Sequence, residues 1–189
     1  HYAMAAKVPM LEPSDSAECK DYAKLAYEIS EQFDTPVVLR LTTRVSHSRS
    51  LVELGERQEL DLKPYEKNPQ KNVMLPAMAK KKHVIVEQRT RDLAEYAETS
   101  GINRVEMNST KIGVITSGMS YQYAKEALGE NASYLKLGMV FPLPVKLIQD
   151  FAAKVDTLYV IEELDDFIET HCRKIGLNPI GKEVFSLCG

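Results

Sequence analysis

The 189-residue chain holds only three cysteines, Cys19, Cys172 and Cys188, and no two of them form a C-x-x-C pair. Zinc and iron–sulfur sites draw on closely spaced thiolates, so no such site is expected within this chain, and no metal site of any kind is assigned. An odd number of thiols without a secretory signal fits a reduced, cytoplasmic setting. His1 to Lys7 has no basic stretch leading into an apolar one, so no signal peptide is expected. No apolar run approaches the roughly 20 residues that a helix needs to cross a bilayer, so no membrane contact is expected. Neither sign of charge dominates: the net charge is −3, which implies no nucleic-acid partner. The sequence has no internal repeat, no low-complexity tract, no G-x-G-x-x-G and no P-loop lysine. What remains is ordinary globular composition, 44% hydrophobic and 27% charged, at a length that allows one or two domains.

The first strong pattern is a helix followed by a strand. Ser14, Asp15 and Ser16 offer side-chain oxygens for an N-cap, and Asp15 with Glu18 resembles a capping box. Tyr22, Leu25, Ala26, Ile29 and Phe33 recur at three- and four-residue spacing, which puts them on one helical face. Asp34, Thr35 and Pro36 end the helix. Val37 to Leu41 then reads as a strand covered on both faces, because it is apolar at nearly every position. Such a strand needs neighbours on both sides, so its partners are expected from polypeptide outside this chain. From Ser46 to Leu75 the pattern disappears, which reads as a crossing between domains or a surface arm, with a short strand near Val73. A second helix runs from Pro76, favourable in a first turn, to Ser100. The rest alternates: strands at 112–116, 133–137 and 157–161, helices at 121–128, 145–153 and 167–175, and an edge strand at 178–181. That order predicts α/β architecture in three layers, a parallel or mixed sheet with helices on its faces.

Several residues could carry chemistry. Thr116, Ser117 and Gly118 stand where a strand hands over to a helix, where free N–H groups and the helix dipole favour an anion. A plain turn is the more ordinary reading, and a cofactor- or nucleotide-binding cradle the alternative. Arg44, Ser46 and His47 lie just past the carboxyl end of a strand, where open α/β sheets bind ligands. Arg44 could hold a carboxylate and His47 exchange protons, or both could tie down a loop. Glu162, Glu163, Asp165, Asp166 and Glu169 form an acidic cluster that could bind a divalent ion but more often caps the next helix. Phe141-Pro142-Leu143-Pro144 reads as a structural opening for the following helix. Lys80 to Lys82, with no aromatics interleaved, reads as a solvated face. Cys19, in the first turn of a helix with no nearby histidine, reads as an inert thiol.

The strings VPMLEPSDSAECKDYAKLAYEISEQFDTPVVLRLTTRVSH, KNVMLPAMAKKKHVIVEQRTRDLAEYAETS, INRVE, KIGVITSGMSYQYAKEAL, SYLKLGMVFPLP and LYVIEEL occur in this order. Together they resemble the α subunit of indolepyruvate:ferredoxin oxidoreductase, within the 2-oxoacid:ferredoxin oxidoreductases. TRVSH, LKLG-x-x-x-PLP and VIEEL are the most specific parts. The resemblance covers nearly the whole chain. It implies that residues 1–50 are the end of a pyrimidine-binding α/β domain, that 51–110 are a linker and connecting helix, and that 111–189 are a transketolase C-terminal-like domain. It further implies thiamine diphosphate, Mg2+ and [4Fe–4S] clusters in the complete enzyme, none expected bound to this chain. Arylpyruvate and coenzyme A are the implied substrates, converted to the aryl-acetyl-CoA and carbon dioxide. Ferredoxin and a β subunit are the implied partners.

The activating glutamate, the diphosphate motif and the cluster cysteines of that family match nothing here, so they are expected outside this chain and the catalytic residues stay unassigned. Three functions remain open: a scaffold and inter-domain part of an arylpyruvate-oxidising enzyme, inactive alone; a coenzyme A or nucleotide-binding module at Thr116–Gly118; or a structural dimerisation domain. Transketolase-like C-terminal domains commonly support dimer contacts, so an oligomer is expected.

Overall fold

The computed structural model describes residues 1–57, 59 and 64–185; Cys188 and the last residues of the expected 111–189 domain lie outside the described residues. A short helix α1 (Tyr2–Ala6) leads into β1 (Met10–Leu11), and α2 (Ser16–Phe33) follows. Asp15 caps α2 as its position requires, its carboxylate accepting from the Glu18 N–H at 2.9 Å. Glu18 does not close the box on Asp15. Its Oε2 accepts instead from the N–H and hydroxyl of Ser14, at 2.8 and 2.9 Å. Asp34, left-handed at φ 50°, ends the helix, and Lys71 and Lys82 both reach its carboxylate.

The segment after Asp34 corrects the sequence reading. Only Val38–Leu39 form a strand, β2, and it is an edge. It pairs in parallel with β1 and with no other strand among the described residues. Val37 and Leu39 turn toward α2, but Val38 stays 36% exposed and Leu41 47% exposed. An apolar run reads alike for a doubly covered strand and for an edge that leaves apolar groups at the surface, where they are common. TRVSH is not a loop but the short helix α3 (Thr43–His47), capped by the Thr42 hydroxyl, which accepts from the Val45 N–H. The arm beyond it carries one turn of helix, α4 (Pro69–Asn72). Val73, expected in a strand, closes that turn in extended conformation.

Helix α5 (Pro76–Thr99) runs as the pattern predicts, and β3 (Arg104–Glu106) follows it, too short to show a period. The chain then alternates as read: β4 (Ile112–Ser117), α6 (Gly118–Leu128), β5 (Ser133–Leu137), β6 (Met139–Phe141), α7 (Val145–Ala152), β7 (Thr157–Ile161) and α8 (Phe167–Lys174). The larger sheet has the order β3-β5-β4-β7, with β5, β4 and β7 parallel and β3 antiparallel, so it is mixed. Ile115, Leu135 and Val160 pack on one face against Ile148 and Phe151 of α7 and Ile168 of α8. Val114 and Tyr134 pack on the other against Tyr121 and Ala124 of α6. This is the three-layer α/β arrangement. The expected strand at 178–181 is reduced to one bridge, Ile180 against Tyr159 of β7.

The smaller sheet, β2-β1-β6, joins the first forty residues to the segment after β5. Gly138 separates β5 from β6, and a Cβ there would meet the Ile102 carbonyl at 2.5 Å, so only glycine lets the strand pass. Asn103 fixes the crossing: its Oδ1 accepts from the N–H groups of Gly138 and Met139, both at 3.0 Å. Leu11 and Met139 of this sheet pack against Tyr22 and Ile29 of α2 and Leu93 and Ala97 of α5. Among the described residues no helix is long and apolar enough to cross a membrane.

Candidate functional site

Strands β4 and β7 are neighbours, but α6 leaves β4 on one face of the sheet and α8 leaves β7 on the other. The chain direction therefore diverges at their carboxyl ends and opens a crevice, the place where open α/β sheets bind ligands. A cavity of about 150 Å3 lies there. Ser117 ends β4 on one wall, Glu162 and Glu163 follow β7 on another, and Glu12, Arg40 and Phe141 close it.

The expected anion cradle already holds a carboxyl group. Glu12 follows β1 and is 5% exposed. Its Oε2 accepts from the Ser117 hydroxyl at 3.3 Å, and its other oxygen is paired with Arg40 Nη1. Gly118, the first residue of α6, has φ +53°, and a Cβ there would meet Glu12 Oε1 at 2.6 Å. Glycine at the turn thus lets a carboxylate approach the helix start, which favours negative charge. Burial raises the Glu12 carboxyl above the usual range, Arg40 and Ser117 oppose that shift, and Glu163 adds to it. Thr116 is fully buried, and its hydroxyl has no hydrogen-bond partner among the described residues.

Arg44, Ser46 and His47 are all exposed on α3, while Val45 of the same helix is buried. Arg44 lies against α6: its Nη1 donates to the Tyr123 hydroxyl at 3.1 Å, and its guanidinium stands 5.6 Å from that ring's centre. The two predicted sets of residues, far apart in sequence, therefore both rest on α6, one at its start and one a turn and a half along.

Within the acidic cluster, Glu162 caps the next helix. Glu162 accepts from the N–H groups of Ile168 and Glu169, at 2.8 and 3.0 Å, at the start of α8. Burial pushes its carboxyl up to about 7 against the pull of those two donors. Glu169 is held by Arg173 and by the Lys182 N–H. Among the described residues no group of three or more His, Cys, Asp or Glu side chains could hold a metal ion. The residues at hand therefore do not fit the Mg2+ or iron–sulfur groups that the resemblance implies, and no chemical step is assigned through them. Pro144 precedes α7 as expected. The Cys19 thiol is raised by burial and by Asp15 and Glu18, which leaves it unactivated.

Sequence reading missed the residues that hold this site together. Glu12, Arg40 and the fully buried Lys136 carry no local signal, because their partners lie 28 to 118 residues away. Lys136 on β5 is paired with Glu18 and donates to the Tyr22 hydroxyl at 3.0 Å. Arg104 reaches the same carboxylate at 3.0 Å. Glu18 stays ionised: burial opposes this, but Lys136 and Ser14 outweigh it and hold the carboxyl below its usual range.

No family model matches the chain. In sequence it is similar to the indolepyruvate oxidoreductase subunit IorA of Archaeoglobus fulgidus, 40% identical over 184 residues, which is 95% of this chain and 30% of that protein. The subunit IorA of Methanothermobacter marburgensis is 39% identical over 89% of this chain and 28% of its own length. That of Pyrococcus horikoshii is 38% identical over 88% of this chain and 28% of its own length. In structure the chain superposes on a 2-oxoglutarate:ferredoxin oxidoreductase from Magnetococcus marinus, solved with 2-oxoglutarate, coenzyme A and succinyl-CoA bound, at a TM-score of 0.64 and 14% identity. That match covers 96% of this chain and 39% of the other and shows a shared α/β fold. The chain is thus similar in sequence to IorA subunits of indolepyruvate oxidoreductases and spans 28–30% of their length.

Proposed function

We propose that the chain forms part of an oxidoreductase that oxidatively decarboxylates arylpyruvates to aryl-acetyl-CoA, with ferredoxin as electron acceptor and a β subunit as partner, in the cytoplasm. In this reading residues 1–50 end a pyrimidine-binding domain, 51–110 connect, and 111–189 form the transketolase C-terminal-like domain. Thiamine diphosphate, Mg2+ and [4Fe–4S] clusters are held by other parts of the complete enzyme. This segment supplies scaffold and inter-domain surface and is inactive alone. The carrying observation is identity of 38–40% to IorA subunits along about nine-tenths of the chain.

Within this segment, the α3 helix is the element we assign to the substrate. Arg44, Ser46 and His47 are exposed, and Arg44 is held against α6 by its side chain on the Tyr123 hydroxyl. A phosphate of coenzyme A at Thr116–Gly118 would have to displace the Glu12 carboxylate, so the geometry favours α3 over that cradle. The test is arylpyruvate-dependent ferredoxin reduction by the complete enzyme carrying Arg44→Ala. A carboxylate contact predicts a KM for arylpyruvate about tenfold higher, the value of roughly 1.4 kcal/mol of lost ground-state binding, with kcat little changed. An unchanged KM refutes the assignment. Thiamine diphosphate titrated into the 189-residue chain should give no heat, and micromolar binding would overturn the division of labour.

A further inference from the structure

We propose that Glu12 is a positioning residue that fixes the α3 helix against the start of α6. The inference deepens the substrate assignment of Arg44, Ser46 and His47 and rests on it for its kinetic consequence. The geometry carries it in three steps. Glu12 is anchored at two points: its N–H donates to the Gly138 carbonyl at 2.9 Å, between β5 and β6, and its carboxylate accepts from Ser117 at the end of β4. Arg40 is then held twice, by its side chain on Glu12 and by its N–H on the Leu11 carbonyl at 2.9 Å. Two residues later Thr42 caps α3, whose far side is pinned by Arg44 on Tyr123. Between these two points Leu41 is exposed. The five-residue helix is too short to hold its own shape in water, so its position depends on these anchors and on the buried Val45.

The Glu12 side chain and the α6 start also meet closely. Gly118 leaves room for a carboxylate oxygen, and the helix start favours its charge. Arg40 is the only cation paired with it among the described residues, and about a third of that side chain reaches solvent. Removing the carboxylate therefore frees the Arg40 side chain to turn outward and leaves the α3 backbone only the Arg40 N–H on the Leu11 carbonyl as its near anchor, without any change to the residues proposed to touch substrate.

The experiment uses the complete enzyme with Glu12→Gln, Glu12→Asp, Arg40→Gln and, as control, Glu126→Gln on the exposed side of α6. Hydrogen exchange of residues 41–49 is read by mass spectrometry together with kcat and KM. Glu12→Gln and Arg40→Gln should each speed exchange in 41–49 at least tenfold. Both should raise the arylpyruvate KM five- to twentyfold with kcat within threefold, and Glu12→Asp should recover most of the loss. Glu126→Gln should match the parent. Should Glu12→Gln fail to fold, Arg40→Gln reads the same joint from its half-exposed side. Unchanged exchange in 41–49 overturns the inference. Faster exchange with unchanged KM upholds the joint and overturns its link to substrate. If the parent enzyme turns over no arylpyruvate, the functional reading fails, and the exchange of 41–49 alone still decides the role of Glu12.

Discussion

Replacing Glu18 by Leu should destabilise the chain far more than replacing its partner Lys136 by Met. The asymmetry follows from what each change leaves behind. Lys136 has no exposed side-chain surface. Without Glu18 its ammonium keeps only the Tyr22 hydroxyl at 3.0 Å and the faces of Tyr22 and Tyr121, 5.1 and 5.9 Å away. A buried charge stripped of its partner costs about 3–5 kcal/mol. In Lys136→Met, by contrast, Glu18 keeps Arg104 at 3.0 Å and both donors of Ser14. A hydrogen-bonded carboxylate that loses one of several partners should cost about 1–3 kcal/mol. The double variant should cost less than the two singles together, by at least about 1 kcal/mol, because the residues touch. Urea unfolding with a constant m-value measures all three, and the larger single loss corresponds to a Tm drop of roughly 6–20 °C. Acid gives a second reading. The Glu18 carboxyl is held below its usual range, so its contribution is present above the unfolded value of about 4.3 and fades as the pH falls through the folded one. Leu at 18 removes that fade. Equal and additive single losses would refute the reasoning, since Lys136 would then not depend on Glu18.

Further outcomes follow from the same contacts. Gly118→Ala places a Cβ at φ +53° and 2.6 Å from Glu12 Oε1, so it should cost about 2–4 kcal/mol from the left-handed backbone and the displaced carboxylate together. Thermal unfolding checks this, and a Tm within about 1 °C of the parent would contradict it. Glu162, pushed up to about 7, should show a carboxyl carbon resonance that titrates near that value. Its raised value makes the fold take up a proton between the unfolded value of about 4.3 and 7. Stability from this group is therefore fully present below the unfolded value and lost as the pH rises through about 7, and a titration midpoint below 5 would sink this account. Asn103→Ala removes the acceptor of two strand-crossing N–H groups and should cost about 1–3 kcal/mol, read by urea unfolding.

Elements with local causes were legible from the residues alone. The spacing of Tyr22, Leu25, Ile29 and Phe33 made α2, Asp15 capped it, and the alternation after Ile112 made the three parallel strands and their helices. The sequence also placed TRVSH and Thr116–Gly118 among the residues worth watching, since both sit at element ends where backbone groups stand free. Tertiary structure alone decided what those ends meet. An apolar run cannot show whether a neighbour covers it, so the Val37–Leu41 strand read as buried and folded as a short edge. Nothing local marks Glu12, Arg40 or Lys136, because a buried charge is tolerated only where a distant partner arrives to meet it, and that partner is supplied by the way β1 and β2, and β5 and α2, are brought together in space.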